Sequence, residues 1–348
     1  MDFAAGRLDS AASNANYLYF AIMKQYKWGI IGPGKIANKF AGALTLAGSA
    51  GLEAVASRDA ARASGFAEKF GAARWYDSYE QLAEDPLIDA VYIATPHGFH
   101  AEHALICLKR GKAVLCEKPM ALYNRQVQEM VQASRDHRAF LMEAMWTRFI
   151  PLMEKTLELI RNGQIGTVKY VRADFGFAGP YHPDNRLYNL RLGGGSLLDI
   201  GVYPLFLCLQ LLGEPDAVKA SGQLAVTGAD ESCQAILHYN NGASAMISST
   251  FACQTSITAE IAGTEGMIQL PTPWYKNDTL TLLRPGAEPQ VINVEPMVNG
   301  FEYQIREVMG CLEKGWIESP SMSHGFSLAM SRVMDTIREQ VGVRYEGE

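Results

Sequence analysis

The stretch Lys27-Trp28-Gly29-Ile30-Ile31-Gly32-Pro33-Gly34-Lys35-Ile36-Ala37 decides the fold. Its first five residues form a short apolar run that reads as a strand, and residues 35–47 carry helical spacing, so the glycines fall in the turn between them. Glycine lets the backbone turn sharply and approach a pyrophosphate, while the free N–H groups and positive dipole end of the helix face it. Gly32-x-Gly34-x-x-Ala37 therefore predicts a dinucleotide site built from Gly32, Gly34, Lys35, Ile36 and Ala37. Further apolar runs at 52–57, 90–94, 113–116 and 140–143 alternate with helical patterns at 60–70, 100–110 and 124–137. Continuous apolar strands separated by amphipathic helices predict a doubly wound parallel sheet over residues 25–145.

Beyond Trp146 the alternation stops. A helix at 152–162 leads to a strand at 168–177, then to a polar, aromatic loop ending in Gly193-Gly194-Gly195 and a strongly apolar helix at 196–212. Extended segments follow at 217–226, 232–239, 243–251, 256–263 and 267–270, with two closing helices at 301–314 and 323–339. Asn240-Asn241-Gly242 is a tight hairpin turn, since Asn-Gly tolerates positive φ. Residues 146–348 thus read as an α+β domain with an open, mainly antiparallel sheet, making the whole chain α/β in class. The Ser/Thr/Ala-rich strands around 243–251 suggest a face flat enough to pair with a second subunit. Residues 1–24, rich in Ala, Ser and Asn without a period, read as a poorly ordered or extended tail, with Met23 a candidate start.

A chain of 348 residues exceeds one ordinary core and asks for two domains, one for a cofactor and one for a substrate. The net charge of -6 argues against a nucleic-acid groove, which needs a basic excess. The apolar stretch 197–212 is interrupted by Asp199, Pro204 and Gln210 and is shorter than the roughly 20 residues of a bilayer span, so no membrane partner is expected. Residues 1–24 lack the pattern of a secretory signal. Six cysteines, dispersed among apolar neighbours without a C-x-x-C pair, read as small buried hydrophobes, and the expected compartment is the cytoplasm.

Four motifs carry chemistry. Ser57-Arg58 ends the second strand, where an NAD site places an acid and a 2′-phosphate needs a cation. Arg58 and Ser57 therefore point to NADP over NAD, with Arg62 a second cation and Asp59 the one argument for NAD. Thr95-Pro96-His97-Gly98-Phe99-His100 closes another strand, at the edge where open α/β sheets bind ligands. His97, His100 and His103 lack an acidic or thiolate companion, so no metal is expected and they line the nicotinamide side or pack locally. Glu117-Lys118-Pro119 places a lysine at a strand end, suited to proton transfer or to lowering a neighbour's pKa. Asp199 and Tyr203, four apart, share one helical face, although Ser196 with Asp199 also reads as a capping pair and Tyr203 as packing.

Taken together, Gly32-x-Gly34-x-x-Ala37, Thr95-Pro96 with His100, Glu117-Lys118-Pro119 and Asp199-x-x-x-Tyr203 resemble the glucose-fructose oxidoreductase and inositol dehydrogenase family, Gfo/Idh/MocA, over about residues 27–340. Residues 143–149 and 198–204 look most like its dihydrodiol dehydrogenase branch, which also oxidises D-xylose with NADP. The resemblance implies a Rossmann domain and a catalytic pair of Lys118 and Tyr203, with Asp199 orienting substrate or Tyr203. It also implies a dimer. Glu117 and the Thr95–His100 segment fall with Lys118 on the cofactor side, and Trp146, Arg148 and Phe177 are candidates for the substrate pocket, with interdomain packing as their alternative. The expected substrate is a cyclic trans-diol or aldose, with a sugar-ketone reductase and a non-catalytic cofactor-binding regulator as rivals. Free tyrosine titrates near 10, so Tyr203 acting as a base needs its pKa lowered, a task expected of Lys118 and the cationic nicotinamide.

Overall fold

A computed structural model describes residues 24–346. The tail expected at 1–24, Lys24 excepted, lies outside the described residues.

Six strands, β1 (Tyr26–Ile31), β2 (Ala50–Ala56), β3 (Arg74–Tyr76), β4 (Ala90–Ile93), β5 (Ala113–Glu117) and β6 (Leu141–Ala144), form one parallel sheet in the order β3-β2-β1-β4-β5-β6. The strand order reverses between β1 and β4, which opens a crevice at their C-terminal ends. The helices α1 (Lys35–Ala47), α2 (Ala60–Phe70), α3 (Tyr79–Glu84), α4 (His100–Leu108) and α5 (Asn124–Asp136) cover its two faces. Every residue of β4 and β5 is buried, which explains their unbroken apolar runs. From α1, Phe40 stacks on Tyr92 of β4 with ring centroids 3.7 Å apart. Sequence reading missed β3 and α3. Each is short, and Trp75 of β3 stays 46% exposed, so neither has a periodic apolar signature.

The second sheet follows α6 (Pro151–Arg161) and has eight strands in the order β14-β13-β12-β11-β7-β10-β9-β8. They are β7 (Val168–Gly176), β8 (Ala217–Leu224), β9 (Asp230–His238), β10 (Ser244–Thr250), β11 (Ala259–Gly263), β12 (Met267–Leu270), β13 (Thr279–Leu283) and β14 (Gln290–Asn293). Neighbours are antiparallel except β7 and β10, which run parallel because a helix and a hairpin intervene before the chain re-enters the sheet. The apolar helix expected at 196–212 begins as a π-turn at Leu197–Gly201 and continues as α7 (Val202–Leu212). The short turn Leu190–Leu192 is set off from this helix by the glycines at 193–195; together Leu190–Leu212 is long and apolar enough by composition alone to cross a membrane, but most of it is buried inside the fold as a core helix. The closing helices are α8 (Glu302–Glu313) and α9 (His324–Val341). They serve both layers: α8 packs on α1, and α9 packs on α5 and β8. Between them the backbone extends the parallel sheet's edge, where Leu141 N–H donates to the Ile317 carbonyl at 2.9 Å. Five cysteines are buried as expected; Cys253 is exposed.

Candidate active site

The glycine turn sits at the crevice. Gly32 has φ +90°, and a Cβ there would meet Thr95 Cγ2 at 2.8 Å, so the turn lies too close to the end of β4 for any side chain. A Cβ on Gly34 would meet nothing within 4 Å, which leaves the approach to the start of α1 open. No side chain caps that helix, so its first N–H groups remain available, with Lys35 and Ile36 exposed beside them and Ala37 buried against the sheet. These features fit a dinucleotide pyrophosphate. At the end of β2, Ser57 Oγ accepts from Asp59 N–H at 3.2 Å, and Asp59 Oδ1 accepts from Arg62 N–H at 3.1 Å. Asp59 is thus the N-cap of α2 and not a free acid for a ribose. The Arg58 and Arg62 side chains are exposed, with the Arg58 guanidinium 5.8 Å from the Phe99 ring centroid.

The histidines separate. His100 is fully buried, its Nδ1 2.8 Å from the Pro119 carbonyl and its Nε2 2.8 Å from the Thr95 carbonyl. It therefore ties two strand-end loops together, which is the local packing of the two readings offered for it, and both ring nitrogens face the protein rather than the crevice. His103 Nδ1 faces Thr95 Oγ1 at 3.0 Å, and His97 Nδ1 faces the Gly193 carbonyl at 3.1 Å. Burial and the Lys118 ammonium push His97 down to about 3, so its imidazole is neutral and donates to Gly193 through Nδ1. Pro96 is exposed. The Glu117 carboxylate, 5% exposed, accepts from the buried Tyr92 hydroxyl and, at 3.3 Å, from Lys118 N–H. It too lies behind the crevice wall rather than on its surface.

Five side chains meet where β5 and β6 face the start of α7. Lys118 Nζ donates to the Asp199 carbonyl at 2.6 Å, stands 3.5 Å from Asp199 Oδ1, and lies 5.1 Å from the Tyr203 ring centroid. Arg186 donates to the same Oδ1 at 3.0 Å. Burial opposes ionisation of Asp199, but Lys118 and Arg186 outweigh it and hold the carboxyl at about 2. Trp146 Nε1 donates to the Tyr203 hydroxyl at 3.0 Å. Burial and the Glu117 charge, followed by Asp199, push the Tyr203 phenol well above its ordinary value despite the Trp146 bond. The phenol is therefore protonated at neutral pH, the reverse of the lowering expected from Lys118, whose ammonium sits over the ring face and bonds Asp199 instead. The capping alternative for Asp199 also fails: Ser196 Oγ donates to Asp230 Oδ2 at 2.8 Å instead of capping the π-turn, whose Leu197 N–H goes to the same Oδ2 at 2.6 Å. π-turns recur at functional sites, and this one aims Asp199 at Lys118.

Arg148 takes the interdomain packing role that was its alternative, and Phe177 has an aromatic neighbour of its own. The Arg148 guanidinium, 7% exposed, bonds Glu154 and the Ser321 carbonyl and so pins the chain after β6 to the segment before α9. Phe177 packs on Phe251 at 5.3 Å between centroids. The aromatic wall of Tyr203 comes from Phe175 at 5.7 Å and Tyr275 at 5.3 Å, which with Arg186 escaped the sequence reading. Arg186 and Tyr275 lie in connecting segments whose side chains carry no periodic signal. Phe175 was legible only as a strand residue two before Phe177.

Comparison with known proteins agrees with this geometry. A family model described as GFO_IDH_MocA, oxidoreductase family with an NAD-binding Rossmann fold, matches residues 26–145, and the GFO/IDH/MocA C-terminal domain matches residues 153–269. A trans-1,2-dihydrobenzene-1,2-diol dehydrogenase of Danio rerio is 41% identical over 330 residues, covering 92% of this chain and 98% of the relative. The structure of an aldose-aldose oxidoreductase from Caulobacter crescentus complexed with glycerol superposes with a TM-score of 0.84 at 25% identity, over 91% of this chain and 97% of that one. A 3-ketoreductase from Actinomadura kijaniata, in complex with NADP and TDP-benzene, gives 0.81 at 25% identity over 92% and 99%.

Proposed function

The chain belongs to the Gfo/Idh/MocA oxidoreductase family, and on that premise we propose that it transfers hydride between NADP and a hydroxyl-bearing carbon of a cyclic trans-diol or aldose. The observation that carries this reading is the buried Tyr203 hydroxyl, set between Trp146 Nε1 and the Lys118–Asp199 pair at the mouth of the dinucleotide crevice. The name of the 41%-identical relative supports the trans-diol, and the NADP-bound ketoreductase supports the cofactor. When bound, the nicotinamide supplies the hydride acceptor or donor.

The remaining chemistry belongs to the chain. Gly32, Gly34 and the N–H groups of Lys35, Ile36 and Ala37 hold the pyrophosphate, and Arg58, with Ser57 and Arg62, holds the 2′-phosphate. In oxidation, Tyr203 Oη takes the hydroxyl proton of the carbon that loses hydride; in reduction it returns that proton to the carbonyl oxygen. Trp146 fixes the direction of the Tyr203 hydroxyl. The Lys118 ammonium over the ring favours the charge that develops there, and Asp199 holds that ammonium in place. A second reading, a sugar-ketone reductase, draws support from the protonated state of Tyr203, which is the form a reduction needs.

We further infer a homodimer through the open face of the second sheet, where Ile236 and Met246 sit opposite each other and are 39% and 43% exposed, and a cytoplasmic location. The test of the function is NADP-linked hydride transfer over a panel of trans-diols, aldoses and keto sugars. Turnover of at least one class is expected; a protein that binds NADP and turns over none of them is the regulator instead. Arg58→Ala should weaken NADP by about tenfold or more and leave NAD nearly unchanged, and equal loss of both would remove the 2′-phosphate assignment.

A further inference from the structure

Beside Trp146, a cavity of about 360 Å³ opens between the two layers, lined by Lys39, Trp146, Lys276, Asp278, Met297 and Asn299 among others. Lys39 reaches it from α1, its Nζ 4.2 Å from the Trp146 ring centroid and 4.4 Å from that of Phe301. Lys276 approaches from the turn after Tyr275, its Nζ 5.5 Å from the Tyr275 ring centroid. Among the described residues neither ammonium has a carboxylate partner within ion-pair distance; both rest only on aromatic rings. The walls are built rather than loose. Asn299 Nδ2 donates to the Lys39 carbonyl at 2.9 Å, and Gly300 at φ +98° presses so close to the indole that a Cβ would meet Trp146 Cζ3 at 2.7 Å.

Two ammonium groups without counter-ions, facing one half-buried cavity, repel each other and lack half of an interaction. Burial and the Lys276 charge press Lys39 toward losing its proton, while Glu117 and Glu302 oppose this only in part. A ligand anion removes both penalties. Asp278 on the same wall, with Glu117 and Glu302 acting on Lys39, offsets part of the positive charge without pairing either ammonium, which suits a monoanion better than a phosphate dianion. The Trp146 indole borders both the cavity and the Tyr203 hydroxyl, which makes the two neighbours.

We propose that this cavity takes the carboxylate of the substrate, making a polyhydroxylated monocarboxylate, a sugar acid, the preferred substrate class. The proposal rests on the hydride-transfer reading and narrows it. It is tested with D-glucuronate and D-gluconate against D-glucose, with D-glucose 6-phosphate as a third arm, measuring NADP-linked kcat and KM and calorimetric binding for wild type, Lys39→Met, Lys276→Met and Lys39→Arg. Lys39→Met keeps an apolar stem on Trp146 and Phe301, and Lys39→Arg keeps the charge if the methionine variant folds poorly. The expected result is a preference of the wild type for one of the acids over glucose, with KM for that acid rising about tenfold in each methionine variant and recovering in Lys39→Arg. Equal use of acid and neutral sugar, unaltered by either methionine variant, overturns the carboxylate pocket and leaves hydride transfer standing. A preference for the 6-phosphate overturns the choice of carboxylate. If none of these compounds is turned over while a trans-diol is, hydride transfer stands and the sugar-acid class is overturned; if the trans-diol fails as well, the parent reading fails, and the calorimetric ranking of acid against neutral sugar still decides for or against the pocket.

Discussion

Tyr203 shows at the scale of one residue how the surroundings choose among the things a side chain can do. Its helical spacing from Asp199 identified it as a candidate, but its protonation state depends on groups distant in sequence. Burial, Glu117 and Asp199 raise the phenol, so oxidation, which needs the phenolate, gains with each rise in pH, while reduction, which needs the phenol, does not. We expect kcat/KM for oxidation to climb from pH 6 to 9 while that for reduction stays flat or falls, measured with the same diol–ketone pair. A flat oxidation profile would contradict the raised phenol. Which imidazoles or guanidiniums face a crevice was equally illegible: His100 and Arg148 have the residue types of a site, but both are turned toward backbone carbonyls.

At the scale of elements, what was legible followed burial. The parallel strands read cleanly because both faces are covered, and the glycine turn stood where strand meets helix. The Gln290–Asn293 strand was missed because it is the sheet's edge and almost wholly exposed, whereas Thr279–Leu283 is paired on both sides and its alternating Thr and Leu carried a strand signal too short to stand out. The parallel pairing of β7 with β10 is a matter of tertiary order, which local pattern does not encode. One buried element end has a measurable effect. Glu143 in β6, 1% exposed, accepts from Met120 N–H at 2.9 Å and from Ser327 Oγ at 2.7 Å, so it joins the loop after Lys118 to α9. Burial pushes its carboxyl up to about 7, against roughly 4.3 when unfolded. The folded state therefore holds the proton more tightly, and the stability this contributes is fully present below the unfolded value and lost as pH rises through 7. Glu143→Gln should flatten the pH dependence of urea unfolding and, relative to wild type, gain about 3 kcal/mol between pH 5 and pH 8. An unchanged slope would show that Glu143 is ionised in the fold at both pH values.

Over the whole molecule, the two sheets divide the work and the closing helices hold them together. The glycine turn and Lys118 come from the parallel layer, and Asp199 and Tyr203 from the second, while α8 and α9 return to clamp the first. The tie of Leu141 to Ile317 makes the C-terminal segment part of the parallel sheet's edge, a relation across 176 residues that no local motif announces. The exposed face of the second sheet belongs to this scale too. Replacing Ile236 by Glu together with Met246 by Arg should convert a dimer to a monomer in sedimentation velocity; a dimer that persists places the interface elsewhere.

The central claim is that one phenol, set in this junction, moves the proton that accompanies hydride transfer. It is tested most directly by kcat for NADP-linked oxidation of the best substrate in Tyr203→Phe, with the NADP dissociation constant measured alongside. In that variant kcat should fall by about a thousandfold with NADP binding unchanged. Retention of full kcat in that variant would contradict it.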